Sequence, residues 1–303
     1  MIPSARVIVF CGKGGVGKTT LSLAAGLRHA KEGRKVLVVS SHPLPELALA
    51  VSLEGLSARF PSAAPNLFVV HIDPREMIAD LVNKHFPVPV MAQRILDSSI
   101  FKNLIEIAPG LKEFFFLERL QELSERRNGN SSTAVPAFDY LIWDAPASGH
   151  FLGTLRSAKN FEVYLTGPLA TAGAQLHRFF SNRGNIQLFP VTPLEEMAIT
   201  ETLETVESMD KDFQISCSAL LINCASPMCS ATESDIAQVE RARTSSPAMS
   251  FAVDRGLLER ERRAELSAAL PVPQLLIPRI THWSDDLDLL AKIAEKMQLP
   301  QFA

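Results

Sequence analysis

Four cysteines in 303 residues is a small number. Cys11, Cys217, Cys224 and Cys229 include no Cys-x-x-Cys pair, and the five-residue step from Cys224 to Cys229 fits no common zinc spacing. A chain this long and this poor in cysteine does not rest on a disulfide framework, so the expected setting is the reducing cytoplasm. Cys11, hard against a glycine-rich stretch, reads as a small core residue. An excess of one charge sign is also lacking. A net charge of −3 gives no electrostatic footing for nucleic acid or for an anionic membrane surface. No stretch reaches the ~18 apolar residues of a spanning helix. The opening MIPSARVIVFCGKGG runs its short apolar stretch straight into glycines, which is not a signal-peptide layout. There is no internal repeat and no low-complexity tract.

What is present is an ordinary globular composition, 47% hydrophobic and 21% charged, with ample material for a core. Apolar runs of strand length recur: RVIVFC (6–11), KVLVVS (35–40), LFVVHI (67–72), YLIWDA (140–145), IQLFPV (186–191), SALLIN (218–223) and QLLIPR (274–279). Near-continuous apolar runs mark strands buried on both faces, the signature of a parallel sheet. Their alternation with helical patterns predicts a doubly wound α/β fold over residues 1–303. Two stretches break the alternation, residues 74–126 and 150–183, and predict a helical subdomain on one side of the sheet. Within the first, Phe114, Phe115 and Phe116 cannot all face one way, and they read as subdomain core. ERRNGNSSTAVPAF (125–138) and ASPMCSATESD (225–235) read as loops.

GKGGVGKTT (12–20) follows the first strand and opens a helical pattern. It satisfies G-x-x-x-x-G-K-[ST] through Gly12, Gly17, Lys18 and Thr19. A chance glycine-rich turn would not be framed by a strand and a helix. The glycines let backbone N–H groups converge on phosphate, and the helix start adds its dipole. The expected nucleotide contacts are Gly12, Gly14, Gly15, Val16, Gly17, Lys18, Thr19 and Thr20. Lys18 is expected to reach the β- and γ-phosphates, and the Thr19 hydroxyl to face Mg²⁺. Asp144 ends the fourth strand at the position where a carboxylate holds Mg²⁺ through water.

Lys13, inside the loop, makes the motif similar to the deviant Walker A loop of the Min, Par, nitrogenase-iron-protein and arsenite-pump ATPases. DAPASGH (144–150) resembles the DTAPTGH switch segment of the arsenite-pump and tail-anchored-protein targeting ATPases. VTPLEEMAITET (191–202), with Glu195, Glu201 and Thr202, and APGLKEF (108–114) resemble further segments of that branch. The resemblance runs from about residue 6 to residue 290. It implies a P-loop ATPase that binds ATP or ADP with Mg²⁺ and acts as a dimer, homomeric or with a related ATPase. It implies that Lys13 acts across the dimer, that Asn223, Pro278 and Arg279 hold the adenine, and that a hydrophobic client protein is the partner.

Departures from the family pattern are informative. The second strand of these families ends in roughly S-T-D-P-A-H, whose Asp orients the attacking water. Here it ends S-S-H-P-L-P, so His42 replaces the carboxylate and Pro45 replaces the motif's histidine. A neutral imidazole accepts a proton through one nitrogen and lacks the carboxylate's attraction for Mg²⁺. ATP binding is expected to persist while hydrolysis slows or depends on a partner, unless Asp144 or Ser148 places the water instead. The alternative to a simple ATPase is therefore an ATP-holding regulatory subunit. The paired-cysteine zinc motif of the targeting ATPases is absent, and the four cysteines form no obvious metalloid trio. A partitioning ATPase is disfavoured by the switch segment and by a C-terminus, AKIAEKMQLPQFA, without a basic amphipathic face.

Overall fold

The structure is a computed structural model that describes residues 7–40, 66–72, 110–125, 138–243 and 246–297. Seven strands form one parallel sheet in the order β3-β2-β4-β1-β5-β6-β7. The strands are β1 (Val7–Cys11), β2 (Val36–Ser40), β3 (Leu67–His71), β4 (Tyr140–Asp144), β5 (Ile186–Thr192), β6 (Leu220–Ala225) and β7 (Gln274–Pro278). Each coincides with one of the seven apolar runs. The described helices are α1 (Lys18–Lys31), α2 (Leu111–Glu125), α3 (Ser148–Tyr164), α4 (Pro168–Phe180), α5 (Glu196–Phe213), α6 (Glu233–Ala242), α7 (Pro247–Ala269) and α8 (Asp286–Lys296).

Side chains alternate across a strand, and both faces of this sheet are covered. Val7, Val9 and Cys11 point into one layer, which α2, α3 and α4 complete with Phe114, Phe151 and Phe180. Ile8 and Phe10 point into the other, against Leu21, Ala24 and Leu27 of α1 and Ile293 of α8. Cys11 is a fully buried core residue.

The three consecutive phenylalanines are all buried. Phe114 stacks on Phe161 at 4.4 Å and Phe116 lies 5.4 Å from Trp143. Helix α2 is wedged among the sheet, α3 and α4, so it has apolar neighbours on more than one side.

Two boundaries differ from expectation. The sixth strand does not stop at Asn223. It runs on to Ala225 across a register shift, with Cys224 at φ 54. The stretch 225–235 is not simply a loop. It holds a 3-10 turn, Pro227–Ser230, whose Met228 and Cys229 are buried, and then the start of α6, capped by Thr232 and Asp235. The loop expected at 125–138 and the helical patterns of 74–109 lie outside the described residues, apart from the ends at Glu125 and Phe138. Among the described residues no helix is long and apolar enough to cross a membrane.

Candidate phosphate and metal site

Parallel α/β sheets bind ligands beyond the carboxyl ends of their strands, where the strand order reverses. Here that place is β1, between β4 and β5. Three neighbouring strands deliver functional groups to it: β1 leads into residues 12–17, β4 ends in Asp144, and β2 ends in Ser40, which sits opposite Asp144 in the ladder.

The loop needs its glycines for reasons visible in the coordinates. Gly12 has φ 144, and a Cβ there would lie 2.3 Å from the Val191 carbonyl oxygen. Gly17 has φ 94, and a Cβ there would lie 2.4 Å from Asn223 Nδ2. Gly14 and Gly15 are exposed at the loop tip, Lys13 is half-buried beside them, and Val16 is buried beneath. Helix α1 begins at Lys18 with Gly17 as its cap and no side-chain capping bond. Its first N–H groups are therefore left to a ligand.

Lys18 is only 9% exposed. Its ammonium donates to the carbonyls of Gly12 at 3.0 Å and Lys13 at 2.9 Å, so it closes the loop upon itself. Burial pulls its pKa below the usual lysine value, and the field of Asp144, followed by those of Cys11 and Glu201, opposes the shift.

Asp144 is 4% exposed. Its Oδ2 accepts from Thr19 Oγ1 at 2.7 Å and from Ser40 Oγ at 3.1 Å. A threonine hydroxyl beside an aspartate gives the hard oxygen donors that Mg²⁺ prefers. A loop crowded against any side chain at Gly12 and Gly17, an inward lysine and this donor pair together fit a magnesium nucleotide. Thr20 is half-buried in the first turn of α1.

Asn223 reaches the same loop from β6. Its amide donates to the Val16 carbonyl at 2.8 Å, and its Oδ1 accepts from the Cys224 N–H at 2.9 Å. The exposed Arg279 follows β7, and its N–H donates to the Ala225 carbonyl at 3.3 Å. Pro278 and Arg279 thus lie beside the end of β6 but are not in bonded contact with the loop. Of the further motif residues, Thr202 is buried and bonds the Ala198 carbonyl, while Glu195 is exposed at the start of α5 without a capping bond. His42 and Pro45 lie outside the described residues.

Two participants were not singled out from the sequence. Ser40 looks like an ordinary strand end until the register sets it against Asp144. His71, at the end of β3, lies with Nδ1 3.2 Å from the Ser40 carbonyl. In residues 144–150 the Ser148 hydroxyl is buried with no hydrogen-bond partner among the described residues. His150 Nε2 lies 3.8 Å from Glu113 Oε1 of α2.

The sequence model described as "Anion-transporting ATPase" matches residues 5–244. A protein of Aquifex aeolicus named an arsenical pump-driving ATPase 2 is 30% identical over 169 residues, 53% of this chain and 52% of that protein. The ATPase BagA of Mycobacterium tuberculosis is 27% identical over 222 residues, 69% of this chain and 62% of its own. The ATPase GET3 of Chaetomium globosum is 31% identical over 155 residues, 50% of this chain and 43% of its own. The chain spans about half the length of the curated relatives it matches.

Proposed function

The chain belongs to the anion-transporting ATPase family, and from that premise we propose that it is a magnesium-dependent ATP hydrolase. We propose further that it works as a dimer and couples its nucleotide state to a partner protein. The observation that carries this reading is the convergence of Lys18, Thr19 and Asp144 at the end of β1, with Thr19 Oγ1 2.7 Å from Asp144 Oδ2.

In this reading the N–H groups of residues 12–20 receive the phosphates. Lys18 exchanges its two loop carbonyls for the β- and γ-phosphates, so the buried ammonium keeps partners in both states. Thr19 and Asp144 are the residues that would hold Mg²⁺. The bound cation supplies charge neutralisation at the phosphate oxygens. Asn223, Pro278 and Arg279 hold the adenine, and Lys13 reaches the nucleotide of the opposing subunit.

The contact between His150 and Glu113 supports coupling from the switch segment to α2. Through it the helical subdomain, residues 74–126 and 150–183, would sense the nucleotide. The exposed side chains of Val163, Tyr164, Leu165 and Leu169 offer that subdomain an apolar surface for a hydrophobic client. A cytoplasmic setting belongs to the same reading, supported by four free cysteines.

His42, where the family carries an aspartate, favours a second reading. The chain would bind ATP, hydrolyse it poorly, and act as the regulatory half of a heterodimer with a related ATPase. Phosphate release with Mg-ATP, measured on the wild type, Lys18→Ala and His42→Asp, separates the two. Turnover by wild type that is lost in Lys18→Ala supports the hydrolase. Binding without turnover, with activity gained in His42→Asp, supports the regulatory subunit. Turnover unchanged in Lys18→Ala would sink both.

A further inference from the structure

Glu259 lies in the middle of α7 and is 8% exposed. A carboxylate buried that deeply needs partners to offset its desolvation. Its Oε2 accepts from the Ser226 N–H at 2.9 Å and lies 4.0 Å from the Cys229 thiol. Its Oε1 accepts from Arg255 Nε at 3.0 Å. One turn further along, Arg263 donates to the Cys229 carbonyl. Between these contacts Gly256 brings the helix so close that a Cβ there would lie 2.5 Å from Met228 Cγ. The turn Pro227–Ser230 is therefore fastened to α7 at both of its ends and in its middle.

That turn is the continuation of β6. Ser226 follows the bulge at Asn223 and Cys224, and Cys224 holds a left-handed backbone at φ 54, a region that side-chain-bearing residues enter only when the surroundings fix them there. On one side of the bulge Asn223 reaches the Val16 carbonyl. On the other, Ala225 pairs with Pro278 and accepts from the Arg279 N–H. A continuous set of bonds thus runs from Glu259 through Ser226 to Asn223, Pro278 and Arg279, the residues read above as the base side.

We propose that Glu259 is a positioning residue for the base side of the nucleotide site. It fixes the turn after β6 and so sets the bulge that presents Asn223, Pro278 and Arg279. This rests on the nucleotide reading above. The phosphate side has anchors of its own, Lys18 on Gly12 and Lys13 and Thr19 on Asp144. Loss of the Glu259 contacts therefore weakens recognition of the base and spares recognition of the phosphates.

The test compares binding of ADP and of inorganic pyrophosphate, both with Mg²⁺, to the full chain. Wild type, Glu259→Gln and Ser226→Pro are measured. Ser226 has φ −67, which proline shares, so that variant deletes the donor N–H, sets a ring carbon against the Glu259 carboxylate in its place, and also removes the Ser226 Oγ cap on the Met228 N–H. Both variants are expected to bind ADP about tenfold more weakly, with pyrophosphate changed by less than about twofold, the scale of one charge-assisted hydrogen bond. A purely structural carboxylate would lower both affinities together or neither, and either result overturns the proposal. If Glu259→Gln does not fold, Ser226→Pro decides alone. A wild type that binds neither ligand overturns the nucleotide reading itself, and this inference with it.

Discussion

Gly17→Ala strikes two features of the loop at once. The position has φ 94, and holding an L-residue in the left-handed region costs about 1 kcal/mol. The new Cβ would also lie 2.4 Å from Asn223 Nδ2, so the amide must leave. With it goes the bond to the Val16 carbonyl at 2.8 Å, a further ~1 kcal/mol. The unliganded variant should therefore lose about 2 kcal/mol of stability. Asn223→Ala alone removes that bond and the one from the Cys224 N–H, and should lose about 2 kcal/mol. In the double variant the clash has no target and the bond is already gone, so only backbone strain is added. The double variant should then lose about 3 kcal/mol where independent effects would sum to about 4, a coupling of about 1 kcal/mol. Urea unfolding of the four proteins measures each term. Losses that add to within about 0.5 kcal/mol would refute the contact between Asn223 and the loop.

Three further outcomes follow from the same coordinates. Gly12→Ala places its Cβ 2.3 Å from a backbone oxygen of β5; no side-chain substitution relieves that, so nucleotide binding should fall below detection in equilibrium titration, and no second substitution at Asn223 should restore it. Burial holds the His29 pKa below the usual value against the pull of Glu32. The unfolded chain then binds the extra proton near pH 6.5 while the folded chain does not, so stability should fall as pH drops below about 6.5. His29→Phe, which keeps a ring against Tyr140, should flatten that part of the curve of melting temperature against pH. Among the four cysteines, Cys11, Cys217 and Cys229 are buried and Cys224 is half-buried; burial pushes the Cys217 thiol up to about 12 and the Cys11 thiol higher still. A thiol reagent at pH 8 should therefore modify Cys224 well before the others, and Cys224→Ser should abolish that first phase.

Most of the sheet could be read from the chain because parallel strands buried on both faces leave continuous apolar runs. The loop at 12–17 was legible for a similar reason: Gly12 and Gly17 hold positive φ, one against the Val191 carbonyl and the other against the Asn223 amide, and Lys18 and Asp144 stand at the ends of recognisable elements. What escaped the sequence depends on packing between distant segments. Ser40 gains meaning only from its register opposite Asp144. The extension of β6 through Cys224 requires a positive φ at a cysteine, which has no local signal. Glu259 sits in LLERERRAEL, where nothing distinguishes it from the solvated charges around it until α7 meets the turn at Pro227–Ser230. The phenylalanine run, read as the core of a helical subdomain, is buried, but it packs in one cluster with the sheet, Phe116 against Trp143 of β4, which depends on segments far along the chain.

The central claim is that residues 12–20 and Asp144 form a magnesium nucleotide site. Calorimetric titration of ATP into the purified chain, with Mg²⁺ and then with the metal chelated, tests it most directly. The account predicts saturable binding with Mg²⁺, weakened by chelation and weakened again in Asp144→Asn. Absence of saturable binding by a folded wild-type chain, or binding indifferent to both Mg²⁺ and Asp144, would contradict it.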